Sequence, residues 1–243
     1  MTPPVRLAVW SGPRNISTAL MRAWENRPDT VVVDEPLYAH YLDRTGLDHP
    51  AREAVIAAGT RNWRLVADQL TGGPVGGATV HYQKHMTHHL LPDMPLDWVL
   101  GLRNVLLIRE PREVVASYVK SRASVTVDDI GLPQQDRLYR MLVAGGRTPP
   151  IIDAGDFLRR PEAYLRWWCD WIDVDFSDRM LSWPAGPRAS DGVWAPHWYA
   201  AVERSTGFEP YRPRQVQLTG NAAEVANDAA PLYEAMFARR LTL

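Results

Sequence analysis

A short polar segment near the start of the chain has residue types that suit the binding of a phosphate or sulfate group. It joins a buried strand predicted at residues 5–10 to a helix predicted at residues 17–26. A loop in this setting directs backbone amides and the positive end of the helix dipole at one point, and Ser17 or Thr18 is expected to cap the helix. The predicted anion-binding residues are Gly12, Pro13, Arg14, Asn15, Ile16, Ser17 and Thr18.

This loop does not fit the pattern of an Mg-ATP P-loop. That pattern is G-x-x-x-x-G-K-[ST], and here no lysine precedes Ser17 or Thr18 and the second glycine is missing. Gly12 is expected to let the backbone approach an anion closely, and Arg14 to grip two of its oxygens. A plain strand-to-helix turn without a ligand is the alternative interpretation.

Apolar runs that alternate with helical patterns predict the elements that position this loop. They predict an α/β fold, a three-layer αβα sandwich with a central parallel sheet of the P-loop NTPase type. The predicted strands cover residues 5–10, 30–33, 79–82, 104–108 and 150–153, and the main predicted helices cover residues 17–26, 51–70, 111–121 and 161–172.

Ligands of such sheets bind beyond the carboxyl ends of the strands. Five chemically capable residues lie at or just after predicted strand ends, namely Arg14, Glu35, Lys84, Arg109 and Asp153. Ser117 lies two turns into the helix after Arg109, so these two side chains could hold one anion from two sides. The alternative is an Arg109 paired with Glu113 and an ordinary helical serine.

Two segments resemble motifs of the sulfotransferase superfamily, whose members use 3′-phosphoadenosine 5′-phosphosulfate as donor. Ser-Gly-Pro-Arg-Asn-Ile-Ser-Thr, beginning at Ser11, is similar to the family's 5′-phosphosulfate loop G-x-P-R-S-G-T-T. Arg-Glu-Pro-Arg-Glu-Val-Val-Ala-Ser, beginning at Arg109, is similar to its R-x-P-x-[DE]-x-x-x-S segment. The resemblance runs over residues 5–183 and implies that Arg109 and Ser117 hold the 3′-phosphate of this co-substrate.

The sequence departs from the family at two places. Ile16 stands where the family loop commonly has glycine, so the backbone there is expected to reach the anion without glycine's freedom. The late R-K-G segment of many cytosolic members is also missing, and Arg188 is the candidate replacement.

Sulfuryl transfer to an alcohol or amine requires a base for the acceptor's proton and positive charge near the leaving phosphate. Glu35 is the expected base, because several branches of the superfamily place a catalytic glutamate in this region. His85 is the competing base, since cytosolic members carry a K-T-H-like segment after the third strand and histidine titrates near neutrality. Lys84 is expected to serve the leaving group or the sulfonate. The alternative is that Asp34 and Glu35 only cap the next helix.

Bulk composition narrows the possible partners and location. The chain has 243 residues, with 27 Lys and Arg against 28 Asp and Glu, so its balanced charge gives no general reason to bind nucleic acid or an anionic membrane. The single cysteine, Cys169, and the missing signal-peptide pattern favour a cytoplasmic protein. Neighbouring histidines after residue 80 occur without cysteine or an H-E-x-x-H pattern, so no metal is expected.

The length suits a single sulfotransferase-like domain over residues 1–243. Residues 182–213, rich in Pro, Gly, Trp and Arg, are expected to form a long ordered loop that acts as a lid or substrate loop. The resulting prediction is a sulfotransferase with a small-molecule acceptor, whose pocket could involve Tyr38, Tyr41, Trp194, Trp198 and Tyr199. A nucleotide phosphotransferase of P-loop type and a catalytically silent nucleotide-binding protein are the alternatives.

Overall fold

A computed structural model describes residues 3–122, 124–213 and 215–243. Within these residues one sheet of parallel strands has the order β2-β3-β1-β4-β5. Apolar and β-branched residues dominate most of the strands because both faces of such a sheet are covered. The strands are β1 (Val5–Ser11), β2 (Thr30–Asp34), β3 (Val80–Met86), β4 (Arg103–Ile108) and β5 (Ile151–Asp153).

Helices connect the strands and follow the last one. No helix among the described residues is both long and apolar enough to cross a membrane. The helices are α1 (Ser17–Glu25), α2 (Tyr38–Thr45), α3 (Arg52–Ala58), α4 (Trp63–Gly72), α5 (Pro111–Tyr118), α6 (Leu132–Ala144), α7 (Ala154–Arg159), α8 (Pro161–Trp171), α9 (Ala195–Trp198), α10 (Ala200–Glu203) and α11 (Gly220–Phe237).

The sheet is packed on both faces, as the alternating residues of β1 show. Leu7 and Val9 belong to a core shared with α1 and α8, which includes Trp24 and Trp168. Trp10, on the opposite face, belongs to a second core shared with α4, α5, α6 and α11. The predicted α/β fold with a central parallel sheet between two helical layers is therefore confirmed.

Strand β3 is longer than the sequence predicts. It was expected to end at residue 82, but it runs to Met86, so Lys84 and His85 lie inside the strand. The strand continues to Met86 because its backbone is paired on both sides, with β1 and with β2. Asp34 on β2 is the register partner of Lys84, which places a carboxylate beside the lysine.

Two other segments differ from their predictions. The helix predicted over residues 51–70 is divided into α3 and α4, because the chain becomes extended at Gly59 and restarts at Asn62, whose side chain caps α4. Residues 182–213 were expected to be a loop, but they contain the short helices α9 and α10. A bridge between Ser182 and Gly207 and a buried ion pair between Asp191 and Arg22 hold this segment to the domain.

Candidate active site

The loop between β1 and α1 places the predicted anion-binding residues at the start of a helix. Helix α1 begins at Ser17, and its N-cap residue is Ile16, with no side-chain cap among the described residues. The expected cap by Ser17 or Thr18 is therefore wrong. The first-turn amides of a helix have no partner within the helix, so those of α1 are available to a ligand. Asn15 fixes the loop by donating from Nδ2 to the Leu107 carbonyl, 3.1 Å away.

The left-handed residue of this loop is Arg14, whose φ is 54°. Ile16, at the position where the related loops have glycine, has an ordinary φ of −87°. A β-branched side chain is therefore tolerated at Ile16 without backbone strain. The departure from the family pattern does not distort the loop.

Gly12 lies at the back of the loop rather than on the main cavity. A Cβ atom at this position would lie 2.1 Å from the Ile130 carbonyl oxygen. The structure thus requires glycine at residue 12 for close packing against the segment before α6. Sequence reasoning assigned this glycine to the approach of an anion, but its close neighbour here is protein backbone.

Arg14, Arg109 and Ser117 lie together beside the loop. The Nε of Arg14 donates to Ser117 Oγ at 3.0 Å, and Arg109 donates from Nη1 to the Arg14 carbonyl at 2.9 Å. Arg109 also donates from Nε and Nη2 to Glu113, at 3.0 and 2.7 Å. These bonds use three of the five N–H donors of Arg109 and fix its direction. The two predicted 3′-phosphate residues therefore do face one cavity, and the Glu113 pairing occurs as well.

Arg14 forms no ion pair with a carboxylate among the described residues. Burial lowers its pKa, and the charge of the neighbouring Arg109 lowers it further. Two guanidinium groups held close with only one carboxylate between them leave an excess of positive charge. A bound anion would relieve this repulsion.

A second group of polar residues is centred on the buried ammonium of Lys84. Its Nζ donates to Asp34 Oδ1 at 2.7 Å, to Glu35 Oε1 at 2.5 Å and to the hydroxyl of Tyr199 at 2.7 Å. The Tyr199 hydroxyl donates to Asp34 Oδ2 at 2.7 Å and accepts from Trp194 Nε1 at 3.2 Å. A lysine has three donors. All three of Lys84 are therefore occupied within the protein.

The charges in this group shift one another's pKa values. Burial raises the pKa of Glu35, and the neighbouring Asp34 carboxylate adds to this effect, while Lys84 opposes it. Burial alone would lower the pKa of Lys84, but the carboxylates of Asp34 and Glu35 outweigh it and raise that pKa well above its ordinary value. Lys84 therefore stays protonated, and Glu35 is the carboxylate whose affinity for a proton is increased.

Glu35 has its backbone in the left-handed region, with φ of 42°. Its amide donates to the Lys84 carbonyl, which continues the β2–β3 pairing by one residue before the chain turns into α2. The N-cap of α2 is Leu37 and no side-chain cap is present there. Glu35 thus faces the lysine and the cavity instead of capping the helix.

His85 lies on the opposite face of β3 from Lys84. Its ring is stacked on Trp10 with centroids 3.9 Å apart, and it contacts the Gln83 side chain. Burial lowers the pKa of His85 to about 3. The structure therefore does not bring His85 to the cavity, because side chains of adjacent strand residues point to opposite faces.

One cavity of about 490 Å³ joins both groups of residues. Its positive side includes Lys120, and the described part of the chain contains no cluster of three or more metal-binding side chains. Of the predicted site residues, it is lined by Pro13, Arg14, Asn15, Ile16, Ser17, Thr18, Glu35, Lys84, Arg109 and Ser117.

Residues 182–213 close one side of the cavity through Trp198, Tyr199 and Phe208. Tyr38 also lines it, whereas Tyr41 and Trp194 pack behind it.

Arg188 donates to the Pro184 carbonyl and is not among the lining residues. The sequence analysis assigned no role in the site to Lys120, His49, His88 and His89, and it considered Asp34 only as a helix cap. Its position as the polar last residue of β2 was the one feature of the sequence that could have pointed to Asp34.

Comparison with known proteins bears on this geometry. Over residues 5–240 the sequence matches the family described as "Sulfotransferase domain". The chain belongs to the sulfotransferase domain family. The match includes both the phosphosulfate-like loop and the segment from Arg109 to Ser117, so the resemblance seen in these two motifs extends over nearly all of the chain.

Two proteins of Arabidopsis thaliana are similar in sequence to this sulfotransferase-domain chain. Branched-chain-amino-acid aminotransferase-like protein 1 is 38% identical over 208 residues, and the corresponding protein 2 is 37% identical over 199 residues. These regions are 86% and 82% of this chain, but 37% and 35% of the plant proteins. The chain therefore spans little more than a third of the length of these relatives.

Solved sulfotransferase structures share the fold at low sequence identity. The sulfotransferase domain from the curacin biosynthetic pathway has a TM-score of 0.55 and 16% identity, covering 95% of this chain and 99% of that domain. The domain from the Synechococcus PCC 7002 olefin synthase has a TM-score of 0.54 and 17% identity, covering 94% of each chain. The sulfotransferase from Alicyclobacillus acidocaldarius has a TM-score of 0.54 and 12% identity, covering 99% and 98%.

Proposed function

We propose that this protein transfers a sulfuryl group from 3′-phosphoadenosine 5′-phosphosulfate to a hydroxyl or amine of a small-molecule acceptor. The observation that carries the proposal is the pairing of Arg14 and Arg109 at the start of α1, in the same cavity as Glu35. An uncompensated guanidinium beside free helix amides fits a multiply charged anion. A carboxylate of raised pKa beside it fits a proton acceptor.

The donor would be held at two places. The amides of Ser17 and Thr18 and the Arg14 guanidinium would bind the phosphosulfate, whereas the Ile16 amide donates to Asn15 Oδ1. Arg109 and Ser117 would bind the 3′-phosphate, with the charge of Lys120 on the same side. These cations supply the positive charge that the leaving phosphate needs, so the proposed transfer assigns no metal.

Glu35 would accept the proton of the acceptor as the new bond to sulfur forms. The bond between sulfur and the phosphate oxygen breaks in the same step, and its electron pair leaves with 3′,5′-adenosine bisphosphate. Lys84 has no free donor for the sulfonate in this geometry. In this proposal it holds the Glu35 carboxylate and contributes its charge.

Calorimetry with 3′,5′-adenosine bisphosphate tests the donor assignment. We expect the wild-type protein to bind it, and Arg109→Ala to bind about tenfold more weakly or worse, because a charged bidentate donor is lost. Arg112→Ala is the matched control, since Arg112 lies on α5 but points to Asn227. Equal binding by Arg109→Ala and Arg112→Ala, or no binding by the wild type, would refute the proposal.

A further inference from the structure

Two adjacent histidines at the edge of the cavity have ring nitrogens without partners. His88 and His89 belong to the turn Thr87–His89 that follows β3, and both line the cavity. His89 is 1% exposed. Among the described residues, neither of its ring nitrogens has a hydrogen-bond partner, and His88 Nδ1 has none. Buried polar atoms are nearly always paired, so this side of the cavity lacks a polar group.

The rings themselves are held in place by packing. His89 is stacked on Tyr38 with centroids 4.7 Å apart and planes 11° apart, and Tyr41 packs 4.8 Å away. Tyr38 is fixed in turn, because its hydroxyl lies 2.7 Å from His49 Nδ1. The aromatic contacts therefore account for the position of the imidazoles and leave their nitrogens unexplained.

The surroundings of both imidazoles favour their uncharged form. Burial lowers the pKa of His88 to about 3, and burial together with His88, His49 and Lys84 lowers that of His89 well below its ordinary value. No described carboxylate forms an ion pair with either ring. Each ring therefore offers one N–H donor and one acceptor nitrogen.

We propose that His88 and His89 form a subsite for an uncharged hydroxyl group of the acceptor, distinct from the group that receives the sulfuryl moiety. This inference rests on the proposed function and specifies its acceptor as a neutral compound with at least two hydroxyl groups. A hydroxyl group can accept a hydrogen bond from the N–H of one imidazole and donate its own proton to the unprotonated nitrogen of the other. A carboxylate has no proton to donate and an ammonium has no lone pair to accept, so each can pair with only one of the two kinds of ring nitrogen and leaves at least one buried nitrogen unpaired.

A series of probes that differ in one end group tests this. Benzene, naphthalene and biphenyl skeletons each carry a reacting hydroxyl, and the opposite end carries hydrogen, hydroxyl, carboxylate or aminomethyl. Binding is measured by NMR on the complex with 3′,5′-adenosine bisphosphate, and sulfuryl transfer is measured separately. For at least one skeleton we expect the dihydroxy compound to bind about fivefold or more tightly than the other three.

His89→Phe is the decisive variant, because it keeps the stacked ring and removes both nitrogens. We expect it to lose the preference for the second hydroxyl while it unfolds at the same or a higher temperature, since no protein hydrogen bond is lost. His40→Phe is the control. His40 is a buried histidine whose Nδ1 contacts the Arg61 carbonyl at 2.8 Å, and it does not line the cavity. That variant should lose stability and keep the preference.

The outcomes separate the two proposals. Absence of a preference in binding, a preference for the carboxylate or the aminomethyl probe, or an unchanged preference in His89→Phe would overturn the subsite. Selective binding of the dihydroxy probe without any sulfuryl transfer would support the subsite and contradict the proposed function.

Discussion

Lys84 shows what a buried cation requires from its neighbours. A lone ammonium at this depth would destabilise the fold by several kcal/mol. Asp34 and Glu35 supply two carboxylates at 2.7 and 2.5 Å, and Tyr199 supplies the third acceptor. With both carboxylates ionised the group carries one net negative charge. Glu35 lines the cavity, so this charge is available to take up a proton.

We expect Tyr199 to fix the relative positions of Lys84 and Asp34, because its hydroxyl is bonded to both. In Tyr199→Phe, Lys84 loses one acceptor and Asp34 loses one donor. We predict a fall in kcat/KM of about tenfold, because Glu35 loses its fixed direction, and a loss of about 1–3 kcal/mol of stability. The Tyr199 hydroxyl helps to lower the pKa of Glu35, so that pKa should rise in Tyr199→Phe. The fall of kcat/KM on the acid side of its pH profile should therefore begin at a higher pH.

Tyr164→Phe serves as the control for this substitution. Tyr164 is also buried, and its hydroxyl donates to the Leu241 carbonyl at 3.0 Å, away from the cavity. It should lose a comparable amount of stability with an unchanged pH profile. An identical pH profile in Tyr199→Phe and the wild type would limit Tyr199 to a purely structural role.

At the residue scale the sequence motifs pointed to side chains that line the cavity. Arg109 and Ser117 follow from a spacing of eight residues, and Glu35 follows from its position after β2. Lys84 also lines the cavity, but from inside β3 rather than from after its end. Tyr199 is 115 residues from Lys84, and no local pattern reports such a contact. His89 was visible in the sequence, but its importance depends on two nitrogens lacking partners, which is a property of packing.

At the scale of elements, the turn from β1 to α1 is fixed by backbone packing. Gly12→Ala would place a methyl group 2.1 Å from the Ile130 carbonyl, so the loop or the segment before α6 must move. We predict a loss of more than about 2 kcal/mol in the free energy of unfolding, measured in urea. Gly72→Ala, at the end of α4 with no atom near the new methyl, should be neutral or slightly stabilising. Similar losses in both variants would argue against this packing.

Strand β3 shows why element boundaries were harder to predict than element types. The apolar run that signals it ends near Tyr82, yet the strand continues through Gln83, Lys84 and His85. Each of these residues has a specific partner, such as the Leu70 carbonyl for Gln83 and the Trp10 ring for His85. Polar residues in a central strand are stable only with such partners, and these come from distant parts of the sequence.

At the scale of the whole molecule, residues 182–213 connect helix α1 to the Lys84 group beside the cavity. Asp191 forms a buried ion pair with Arg22 at 2.7 Å, and the next residue, Gly192, donates to Asp34 at 3.3 Å. Farther along, Trp194 and Tyr199 reach the Lys84 group. A segment that sequence analysis treated as a lid thus forms part of the wall behind the proposed base.

Asp191→Asn tests this anchorage. It leaves the Arg22 charge buried with only Glu25 nearby, at 3.5 Å, so we predict a loss of about 3 kcal/mol in unfolding free energy. Trypsin should also cleave faster at Arg188, which is half-buried in the folded segment. Asp93→Asn, in the exposed pair with Arg44, should change stability by less than about 1 kcal/mol. Unchanged stability and cleavage in Asp191→Asn would show that the segment is held by other contacts.

In the proposed function, the cavity shared by the arginine pair and Glu35 would link proton binding to donor binding thermodynamically. A bound nucleotide anion adds negative charge near Glu35 and raises its pKa further, so binding takes up protons between the two pKa values. Nucleotide affinity then increases as pH falls through that interval, whereas turnover decreases because ionised Glu35 is lost.

Calorimetry in two buffers of different ionisation enthalpy counts the protons taken up on binding, and the count should be lower in Glu35→Gln than in the wild type. The nucleotide phosphates contribute equally to both counts, so equal counts would mean that Glu35 does not sense the anion. If this linkage and the proposed function both hold, tight binding of the product nucleotide is favoured at low pH and fast sulfuryl transfer at high pH. The pH at which these two effects balance would then set the range over which the protein works.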